Sequence, residues 1–406
     1  MLAYNLQTYT NEIIHILDIS YLILNKKQII SNLFKKMFLK TLKNLNKCNL
    51  IAYSNSGRFF SSYDISELKL VEYGNNAEES LRLETKTLNE NEIIDNFKNK
   101  TSDLFVRLIA SPINPADLNI IQGKYAYLPP KLPANIGNEG LFEVIKSDSN
   151  KFQPGDWVLP TELGFGSWRS HSFGLSKNFI KISNKLDKNA CSTLLVNPCT
   201  AYRLLKDFVN LKENDTIIQN GANSAVGQSV IQLGKLMNIN VVNIVRKRDS
   251  QQKQDDLNNY LASLGAKYIF TEDELRKQVL TKDLWSKISK PKLALNCVGG
   301  KATTDMVRLL DKDSIMVTYG GMSRQPLTLN TADFIFKNFK CMGFWLTAWR
   351  SKNKEEFERT VLHLAGLIEK NQFKGPDCHE FKLNEFKNAI QMVQTPYHNK
   401  KVLFVN

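Results

Sequence analysis

Short apolar runs separated by proline and glycine characterise the chain between residues 104 and 160. Each run is only five or six residues long and is bounded by turn-forming residues, which is typical of strands rather than helices. This part of the chain is therefore predicted to form a β-rich module. The predicted strands are Leu104–Ile109, Gly140–Ile145 and Asp156–Pro160.

The pattern changes near residue 190, where apolar strands begin to alternate with longer segments of helical periodicity. Alternation of this kind predicts right-handed βαβ units and a parallel, doubly wound sheet. Helices are expected at residues 354–370 and 383–393, and a last strand at 401–405 is expected to return to the first module. The predicted strands of the parallel sheet are Thr216–Gln219, Asn240–Val245, Lys267–Phe270, Leu293–Val298, Ser314–Thr318 and Lys340–Trp345.

Length and composition fit two domains and a tail. The chain has 406 residues, 42% of them hydrophobic, which is more than one ordinary core holds. No apolar stretch reaches the roughly 20 residues that a membrane-crossing helix needs, so no membrane insertion is expected. Six scattered cysteines without a Cys-x-x-Cys pair favour a reducing compartment, and five histidines provide little for a structural zinc site.

The net charge of +14 is unevenly distributed along the chain. Residues 1–60 hold eight basic and two acidic residues, and no acidic residue lies between residues 21 and 63. A basic segment that is rich in hydroxyl and amide side chains is typical of a mitochondrial transit peptide, which predicts delivery to the mitochondrial matrix. Arg58, shortly before Phe60, marks an expected cleavage site. Two alternatives stay open: a disordered basic arm that binds nucleic acid, and a true start at Met37.

A glycine-containing turn opens the second module. Gly221–Gly227 follows a predicted strand and precedes a helix whose apolar residues lie on one face. In such a strand–turn–helix unit, backbone N–H groups at the helix N-terminus bind the pyrophosphate of a dinucleotide. The pattern is degenerate because Ser224 replaces the middle glycine, so a tight structural turn is the alternative interpretation.

Basic residues at the end of the next predicted strand indicate which dinucleotide binds. An NAD site has an acidic residue there, which binds the ribose 2′-hydroxyl. This chain has Arg246, Lys247 and Arg248 instead, and cations fit the 2′-phosphate of NADPH. NADPH is therefore the expected cofactor. The alternative is a solvated surface cluster that Asp249 partly neutralises.

Eight segments together resemble the quinone-oxidoreductase-like branch of the medium-chain dehydrogenase/reductase superfamily. Within that branch the chain is most similar to the mitochondrial trans-2-enoyl thioester reductases, also called enoyl-[acyl-carrier-protein] reductases. The segments occur in the same order across residues 66–406. They are Pro112–Asn119, Gln122–Tyr125, Gly137–Gly140, Val196–Arg203, Asn223–Val226, Asn296–Gly300, Val317–Met322 and Gly343–Leu346.

The resemblance implies a domain order, an activity and an assembly. A GroES-like catalytic domain is expected at residues 61–189, a Rossmann-type NADPH-binding domain at 190–350, and a return to the catalytic domain at 351–406. The implied activity is NADPH-dependent reduction of enoyl thioesters of acyl carrier protein or coenzyme A in mitochondrial fatty acid synthesis. The implied assembly is a homodimer, and no nucleic-acid partner is expected.

The resemblance also implies roles for individual residues. Tyr125 is the implied catalytic residue, a donor that stabilises the enolate formed as hydride reaches the substrate. Trp168 and Trp345 are candidate walls of an acyl pocket, because aromatic side chains supply large apolar surfaces. Without the resemblance, Asn197 is equally well a helix cap and Phe344 a core residue. The implied cofactor contacts are Asn197, Asn223, Ser224, Ala225, Val226, Arg246, Lys247, Arg248, Tyr319, Gly320, Gly321, Met322, Phe344, Trp345, Leu346 and Lys400.

Zinc alcohol dehydrogenases of the same superfamily have a histidine within the stretch here occupied by Gly137–Glu139, and a cysteine near residues 114–117. Both residue types are absent from these stretches, so no catalytic metal is expected. Two other functions stay open: a quinone reductase of the same fold, and a non-enzymatic protein that binds RNA or a transcription factor. The Tyr125 loop and the Phe344–Leu346 segment favour the enoyl thioester as substrate.

Overall fold

Residues 62–395 and 400–406 are the part of the chain that the computed structural model describes. The leader expected at residues 1–60, its cleavage site and the alternative start at Met37 lie outside these residues. The described chain is an α/β protein, as predicted, and its strands form three sheets.

A long antiparallel hairpin precedes the strands that the apolar pattern predicts. β1 (Ser62–Leu70) pairs along its whole length with β2 (Leu81–Asn89), and the short strand β4 (Ala134–Asn135) extends this sheet. Leu68 and Leu70 on β1 are fully buried, whereas most of β2 is exposed or half-buried. The hairpin therefore covers the core with β1 and leaves β2 at the surface.

Strands from both ends of the described chain build the sheet of the β-rich module. Its strands are β3 (Leu104–Pro112), β5 (Leu141–Ser147), β6 (Trp157–Pro160), β7 (His171–Gly174), β8 (Phe179–Ile182), β15 (Cys378–Lys382) and β16 (Lys401–Val405). The order is β15-β16-β3-β5-β6-β8, and β7 also pairs with β3. β16 lies antiparallel to β3, with Leu403 opposite Pro112, so the last strand joins the first module.

The second module contains a six-stranded parallel sheet. Its strands are β9 (Thr216–Asn220), β10 (Asn240–Val245), β11 (Tyr268–Thr271), β12 (Leu293–Asn296), β13 (Ile315–Thr318) and β14 (Lys340–Gly343), in the order β11-β10-β9-β12-β13-β14. All six predicted strands occur, with boundaries shifted by at most two residues. β14 ends before Phe344, which moves Phe344 and Trp345 from a strand into the loop at the carboxyl edge of the sheet.

Helices connect the strands and cover the sheets. They are α1 (Ala77–Ser80), α2 (Glu90–Lys98), α3 (Pro115–Ile121), α4 (Lys188–Ser192), α5 (Asn197–Lys206), α6 (Ala225–Leu236), α7 (Gln251–Ser263), α8 (Glu272–Leu275), α9 (Gln278–Lys287), α10 (Gly300–Val307), α11 (Thr331–Lys337), α12 (Leu346–Lys352), α13 (Lys354–Glu369) and α14 (Phe386–Gln394). The two helices predicted near the carboxyl end correspond to α13 and α14. Among the described residues, no helix combines the length and apolarity that a bilayer crossing requires.

One apolar core extends through both modules. Leu141 on β5, Leu204 on α5, Val230 on α6 and Val361 on α13 belong to the same buried cluster. Burial of each such side chain contributes about 1.5–3 kcal/mol. α5 packs on α6 and α13, and α13 also packs on β8, so these helices connect the cores of the two modules.

Candidate active site

Buried amides fix the edge at which the carboxyl ends of β9, β12 and β13 meet. Asn220 Nδ2 donates to Asn296 Oδ1 (2.8 Å), and Asn296 Nδ2 donates to Thr318 Oγ1 (3.1 Å). The backbone N–H of Cys297 donates to Asn220 Oδ1 over 2.8 Å. Doubly wound sheets bind ligands at this edge. The candidate site therefore starts from three strand ends that hydrogen bonds hold together.

The turn between β9 and α6 contains two glycines at which a side chain would collide with neighbouring atoms. Gly221 adopts a left-handed φ of +61°, and a Cβ there would lie 2.6 Å from Cys297 Sγ. A Cβ on Gly227 would lie 2.5 Å from the carbonyl oxygen of Ala222, so both positions require glycine. Ser224, in place of the middle glycine, caps α6 by accepting a hydrogen bond from the Gly227 N–H (3.1 Å). The capped N-terminus carries the partial positive charge that attracts phosphate.

The basic cluster after β10 divides into two parts. Arg246 and Lys247 are exposed, so their charges are accessible to a phosphate. Arg248 is buried, and its Nη1 donates to the carbonyl oxygen of Arg246 over 3.0 Å. Asp249 forms its ion pair with Lys253 (2.9 Å). Arg248 therefore shapes the loop from beneath, while Arg246 and Lys247 present the positive charge.

The loop after β13 supplies a buried hydroxyl and open backbone. Tyr319 Oη is buried without a hydrogen-bond partner among the described residues, and burial raises the pKa of Tyr319 well above its ordinary value. The hydroxyl is therefore a protonated donor beside Ser224 and Cys297. A Cβ on Gly321 would meet nothing within 4 Å. An orphaned donor and open backbone beside the Gly221–Gly227 turn fit a bound dinucleotide.

Tyr125 and Trp345 are in direct contact, which joins the β-rich module to the loop after the last strand of the parallel sheet. Tyr125 lies on the loop after α3, and Trp345 lies directly before α12. Trp345 Nε1 donates to Tyr125 Oη over 2.8 Å, and the two rings are nearly perpendicular, with centroids 5.9 Å apart. Because an indole N–H only donates, the phenol oxygen is the acceptor, and its own O–H proton is left for another partner.

A buried polar network surrounds Asn114. Asn114 Oδ1 accepts hydrogen bonds from Lys401 Nζ (2.5 Å) and Asn197 Nδ2 (3.1 Å), while Asn114 Nδ2 donates to Glu139 Oε1 (2.8 Å). Asp117 Oδ2 accepts from the backbone N–H of Asn114 (2.7 Å). Burial raises the pKa of Glu139 to about 7 and that of Asp117 to about 6, although the nearby Lys401 ammonium lowers both.

The structure brings Lys401 to Asn197, and it does not bring Lys400 there. Lys400 is exposed, precedes β16, and lies at a separate surface cleft beside Lys185 and Cys378. Successive side chains of a strand point to opposite sides, so only one of two adjacent lysines reaches the interior. The expected contact of Lys400 with the cofactor stays a prediction, and Lys401 is the lysine that enters the buried network.

Several other predicted site residues belong to the core. Trp168 is fully buried against Phe404, with ring centroids 5.1 Å apart, so the prediction that it forms a wall of an acyl pocket is wrong. Leu346 and Val226 are buried in the large core, which leaves their backbone as the part available to a cofactor. Phe344 packs edge-to-face on a neighbouring aromatic ring.

The remaining predicted contacts lie at the surface of the cleft loops. Asn223, Ser224 and Ala225 are half-buried in the turn before α6, Gly320 is half-buried after β13, and Met322 is 62% exposed. Their roles toward a cofactor stay predictions.

Comparisons with known proteins identify the family. The alcohol dehydrogenase GroES-like domain model matches residues 100–177, and the zinc-binding dehydrogenase model matches residues 225–365. The mitochondrial enoyl-[acyl-carrier-protein] reductase of Mus musculus is 40% identical over 359 residues, which cover 87% of this chain and 93% of the mouse protein. The chain belongs to the mitochondrial enoyl-[acyl-carrier-protein] reductase family.

Solved structures agree with this assignment and confirm the resemblance inferred from the eight segments. The Etr1p complex with NADP and crotonyl-CoA is 32% identical to this reductase, with a TM-score of 0.77. The mitochondrial 2-enoyl thioester reductase Etr1p/Etr2p heterodimer from Candida tropicalis gives the same identity and TM-score. Each similarity covers 85% of this chain and 100% of the other.

The name of one matched family model refers to zinc, and the residues of this reductase do not fit a catalytic zinc ion. In the stretches 114–117 and 137–139, Asn114, Asp117 and Glu139 are hydrogen-bonded to one another or to backbone, with the Lys401 ammonium among them. An ammonium has no lone pair to bind a metal and repels a cation. Among the described residues, no group of three or more His, Cys, Asp or Glu side chains is arranged to hold a metal.

Proposed function

We propose that this reductase transfers hydride from NADPH to trans-2-enoyl thioesters of coenzyme A or acyl carrier protein and releases saturated acyl thioesters. The setting is fatty acid synthesis in the mitochondrial matrix. The observation that carries the proposal is the Tyr125 hydroxyl, whose oxygen accepts the Trp345 indole N–H while its own proton is free to donate. The enoyl reductase names of the relatives, and the crotonyl-CoA in one solved relative, support the same substrate class.

The chemistry needs a hydrogen-bond donor at one atom. NADPH, when bound, supplies a hydride to the β-carbon of the conjugated thioester. The electron pair of the carbon–carbon double bond shifts toward the thioester carbonyl group. The carbonyl oxygen then carries the negative charge of an enolate. A proton from solvent water then joins the α-carbon, and the carbonyl forms again as the electron pair on oxygen returns. Tyr125 stabilises the charged oxygen, because a donor fixed in place before the reaction favours the transition state over the ground state.

Each proposed cofactor-binding residue is assigned to the part of NADPH that its chemistry suits. The N-terminus of α6 suits the pyrophosphate, and exposed Arg246 and Lys247 suit the 2′-phosphate. Asn197, Lys401 and the Tyr319 hydroxyl are polar groups suited to the sugar and nicotinamide parts. Lys401 replaces Lys400 in this proposal, because its Nζ hydrogen-bonds to the same oxygen as Asn197.

The decisive experiment compares two classes of oxidant, enoyl thioesters and a quinone, with the same enzyme. NADPH oxidation is followed by absorbance with 2-hexenoyl coenzyme A, with the same acyl group on acyl carrier protein, and with a benzoquinone. We expect turnover with at least one thioester and none above background with the quinone. Turnover with the quinone alone would establish the quinone reductase instead, and NADPH binding without either turnover would favour a non-enzymatic role.

We further propose that the reductase is a homodimer formed through the free edge of the parallel sheet. All four residues of β14, at the end of the described sheet, are exposed. The adjacent α11 exposes Ile335 (65%) and Phe336 (73%). Unpaired edge strands and neighbouring apolar side chains favour association with another chain. Sedimentation of the wild type should give twice the monomer mass. The double variant Ile335→Glu with Phe336→Glu should sediment as a monomer. A monomeric wild type at micromolar concentration would contradict the proposed dimer.

A further inference from the structure

Asn114 joins four separate parts of the chain at one side chain. Asn114 itself lies between β3 and α3, at the N-cap of α3. Its three side-chain partners come from elsewhere in the chain: Glu139 precedes β5, Asn197 begins α5, and Lys401 begins β16. Asn114 and Asn197 are 98% and 92% buried, and both lie in segments that the family resemblance singles out. The proposed chemistry assigns no role to Asn114.

The charged groups of Lys401 and Glu139, at the two ends of this network, fix the orientation of the Asn114 and Asn197 side-chain amides. Lys401 is a donor only, so the Asn114 atom that faces it must be the carbonyl oxygen. The amide nitrogen of Asn114 then faces Glu139 Oε1, an acceptor. Because the same Asn114 oxygen faces Asn197, Asn197 must present its Nδ2 there. The carboxamide oxygen of Asn197 is therefore directed away from Asn114.

We propose that Asn114 is a positioning residue for the reductase reaction: it turns Asn197 so that Asn197 Oδ1 accepts a hydrogen bond from a donor of the cofactor, a ribose hydroxyl or the nicotinamide amide. The inference rests on the proposed function, and it adds that Asn197 acts as an acceptor. Without the Asn114 oxygen, the Asn197 carboxamide loses the contact that selects one of its two flipped orientations. Cofactor affinity should fall, while contacts to the thioester stay intact.

Asn114→Leu tests the role directly. We expect the KM and the dissociation constant for NADPH, the latter by fluorescence titration, to rise roughly tenfold, as for one to two lost hydrogen bonds. The KM for 2-hexenoyl coenzyme A should stay within about twofold. Ser111→Ala is the matched control, because the Ser111 hydroxyl donates to the Glu139 carbonyl oxygen (2.7 Å) without touching Asn197 or Lys401. An unchanged NADPH dissociation constant in Asn114→Leu would overturn the inference.

Asn114→Asp separates positioning from general structural support. An aspartate still accepts from Lys401 and Asn197, but its second oxygen faces Glu139 Oε1, and two carboxylates in contact share a proton. The charged and titratable groups that face Glu139 are Lys401, Asp117, Arg350 and Cys199.

Because burial already raises the pKa of Glu139 to about 7, its protonation at pH 6 should restore NADPH affinity in Asn114→Asp to within about threefold of wild type. At pH 8.5 both carboxylates are charged and repel each other, so the NADPH affinity of Asn114→Asp should be lost. Asn114→Leu should bind NADPH weakly at both pH values. Identical pH profiles for the two variants would contradict the positioning role. If wild type binds NADPH but reduces no thioester, the proposed function fails, and the binding titrations still test Asn114.

Discussion

Trp345 Nε1 donates a hydrogen bond to Tyr125 Oη over 2.8 Å, although the two residues are 220 positions apart in the chain. Tyr125 comes from the β-rich module, and Trp345 comes from the loop after the last strand of the parallel sheet. The bond therefore connects the two modules at the residue to which the proposed mechanism assigns catalysis. It fixes the phenol oxygen as an acceptor toward Trp345 and leaves the phenol proton as the donor toward substrate.

Replacing the indole should weaken catalysis moderately. Trp345→Phe keeps the aromatic ring but removes the hydrogen bond, which contributes about 1 kcal/mol, so kcat should fall roughly fivefold. Trp349→Phe is the control, since Trp349 lies one turn along α12, where its ring stacks on the Arg203 guanidinium (4.6 Å). Steady-state kinetics with saturating NADPH compare the two variants. Equal turnover in both would mean that the Tyr125 contact has no catalytic effect.

The exposed cations after β10 should determine cofactor preference. Arg246→Ala with Lys247→Ala should raise the KM for NADPH by a factor of about 10 or more, because each charged hydrogen bond to the 2′-phosphate contributes about 1.5 kcal/mol. The KM for NADH, which lacks that phosphate, should hardly change. Lys253→Ala, which removes an exposed lysine paired with Asp249, serves as the control. A constant ratio of kcat/KM for the two cofactors would show that the cluster is only a solvated surface.

Arg248 should behave differently from its two neighbours. Its guanidinium is buried and donates to the carbonyl oxygen of Arg246, so Arg248→Ala removes a buried contact of the loop. We expect the free energy of unfolding to fall by about 1–3 kcal/mol, with a smaller change in the preference for NADPH than the Arg246 and Lys247 substitutions produce. Urea denaturation and the same kinetic ratio measure the two effects. A loss of NADPH preference at unchanged stability would place Arg248 in direct contact with the phosphate.

His171 should make stability depend on acid. It stacks on Phe105, with ring centroids 5.4 Å apart, and burial, assisted by Arg107, lowers the pKa of His171 to about 4. The unfolded chain, in which histidine has its ordinary pKa near 6.5, therefore takes up the proton first. The stabilisation is present above pH 6.5 and is lost as the pH falls toward 4, by at most about 3 kcal/mol.

His171→Phe keeps the aromatic stacking and removes this titration. Unfolding of wild type and variant at pH 7 and pH 4.5 gives the comparison, in which Glu139 and Asp117 titrate in both proteins and cancel. The wild type should lose more stability than the variant between the two values. Equal losses would show that His171 is protonated in the folded state.

Apolar periodicity predicted most of the parallel sheet because its central strands, β9, β10 and β12, are buried on both faces. The strand at Asn240–Val245 is a run of mostly apolar residues, and the strand at Thr216–Asn220 contains the apolar pair Ile217 and Ile218. The last strand at Lys401–Val405 was predicted to the residue. The β1–β2 hairpin was missed, since most of β2 is accessible to solvent and its sequence, Leu81–Asn89, carries polar residues without a regular apolar face. The formation of such a surface strand depends on its pairing with a partner strand, and the apolar periodicity of one segment does not show which segment it pairs with.

The sequence offered candidates for the exposed part of the site, and it offered few for the buried network around Asn114. Motifs selected the glycine turn and the basic cluster, and the family resemblance selected Tyr125; the roles of these residues toward NADPH and substrate stay predictions. The choice between Lys400 and Lys401 depends on which side of a strand faces inward, and the burial of Trp168 and Arg248 depends on tertiary packing. The network around Asn114 joins segments up to 287 residues apart, which local spacing cannot bring together.

The Tyr125 hydroxyl is the group on which the proposed mechanism depends, and Tyr125→Phe removes that group alone. One donor to a developing oxyanion supplies roughly 2.7–4 kcal/mol, so kcat with 2-hexenoyl coenzyme A should fall by a factor of about 100 to 1,000, while the dissociation constant for NADPH stays at the wild-type value. Tyr127→Phe, two residues along the same loop, should retain full turnover. A large loss of kcat with intact NADPH binding is the result that the catalytic role of the Tyr125 hydroxyl predicts. Wild-type turnover in Tyr125→Phe would contradict that role.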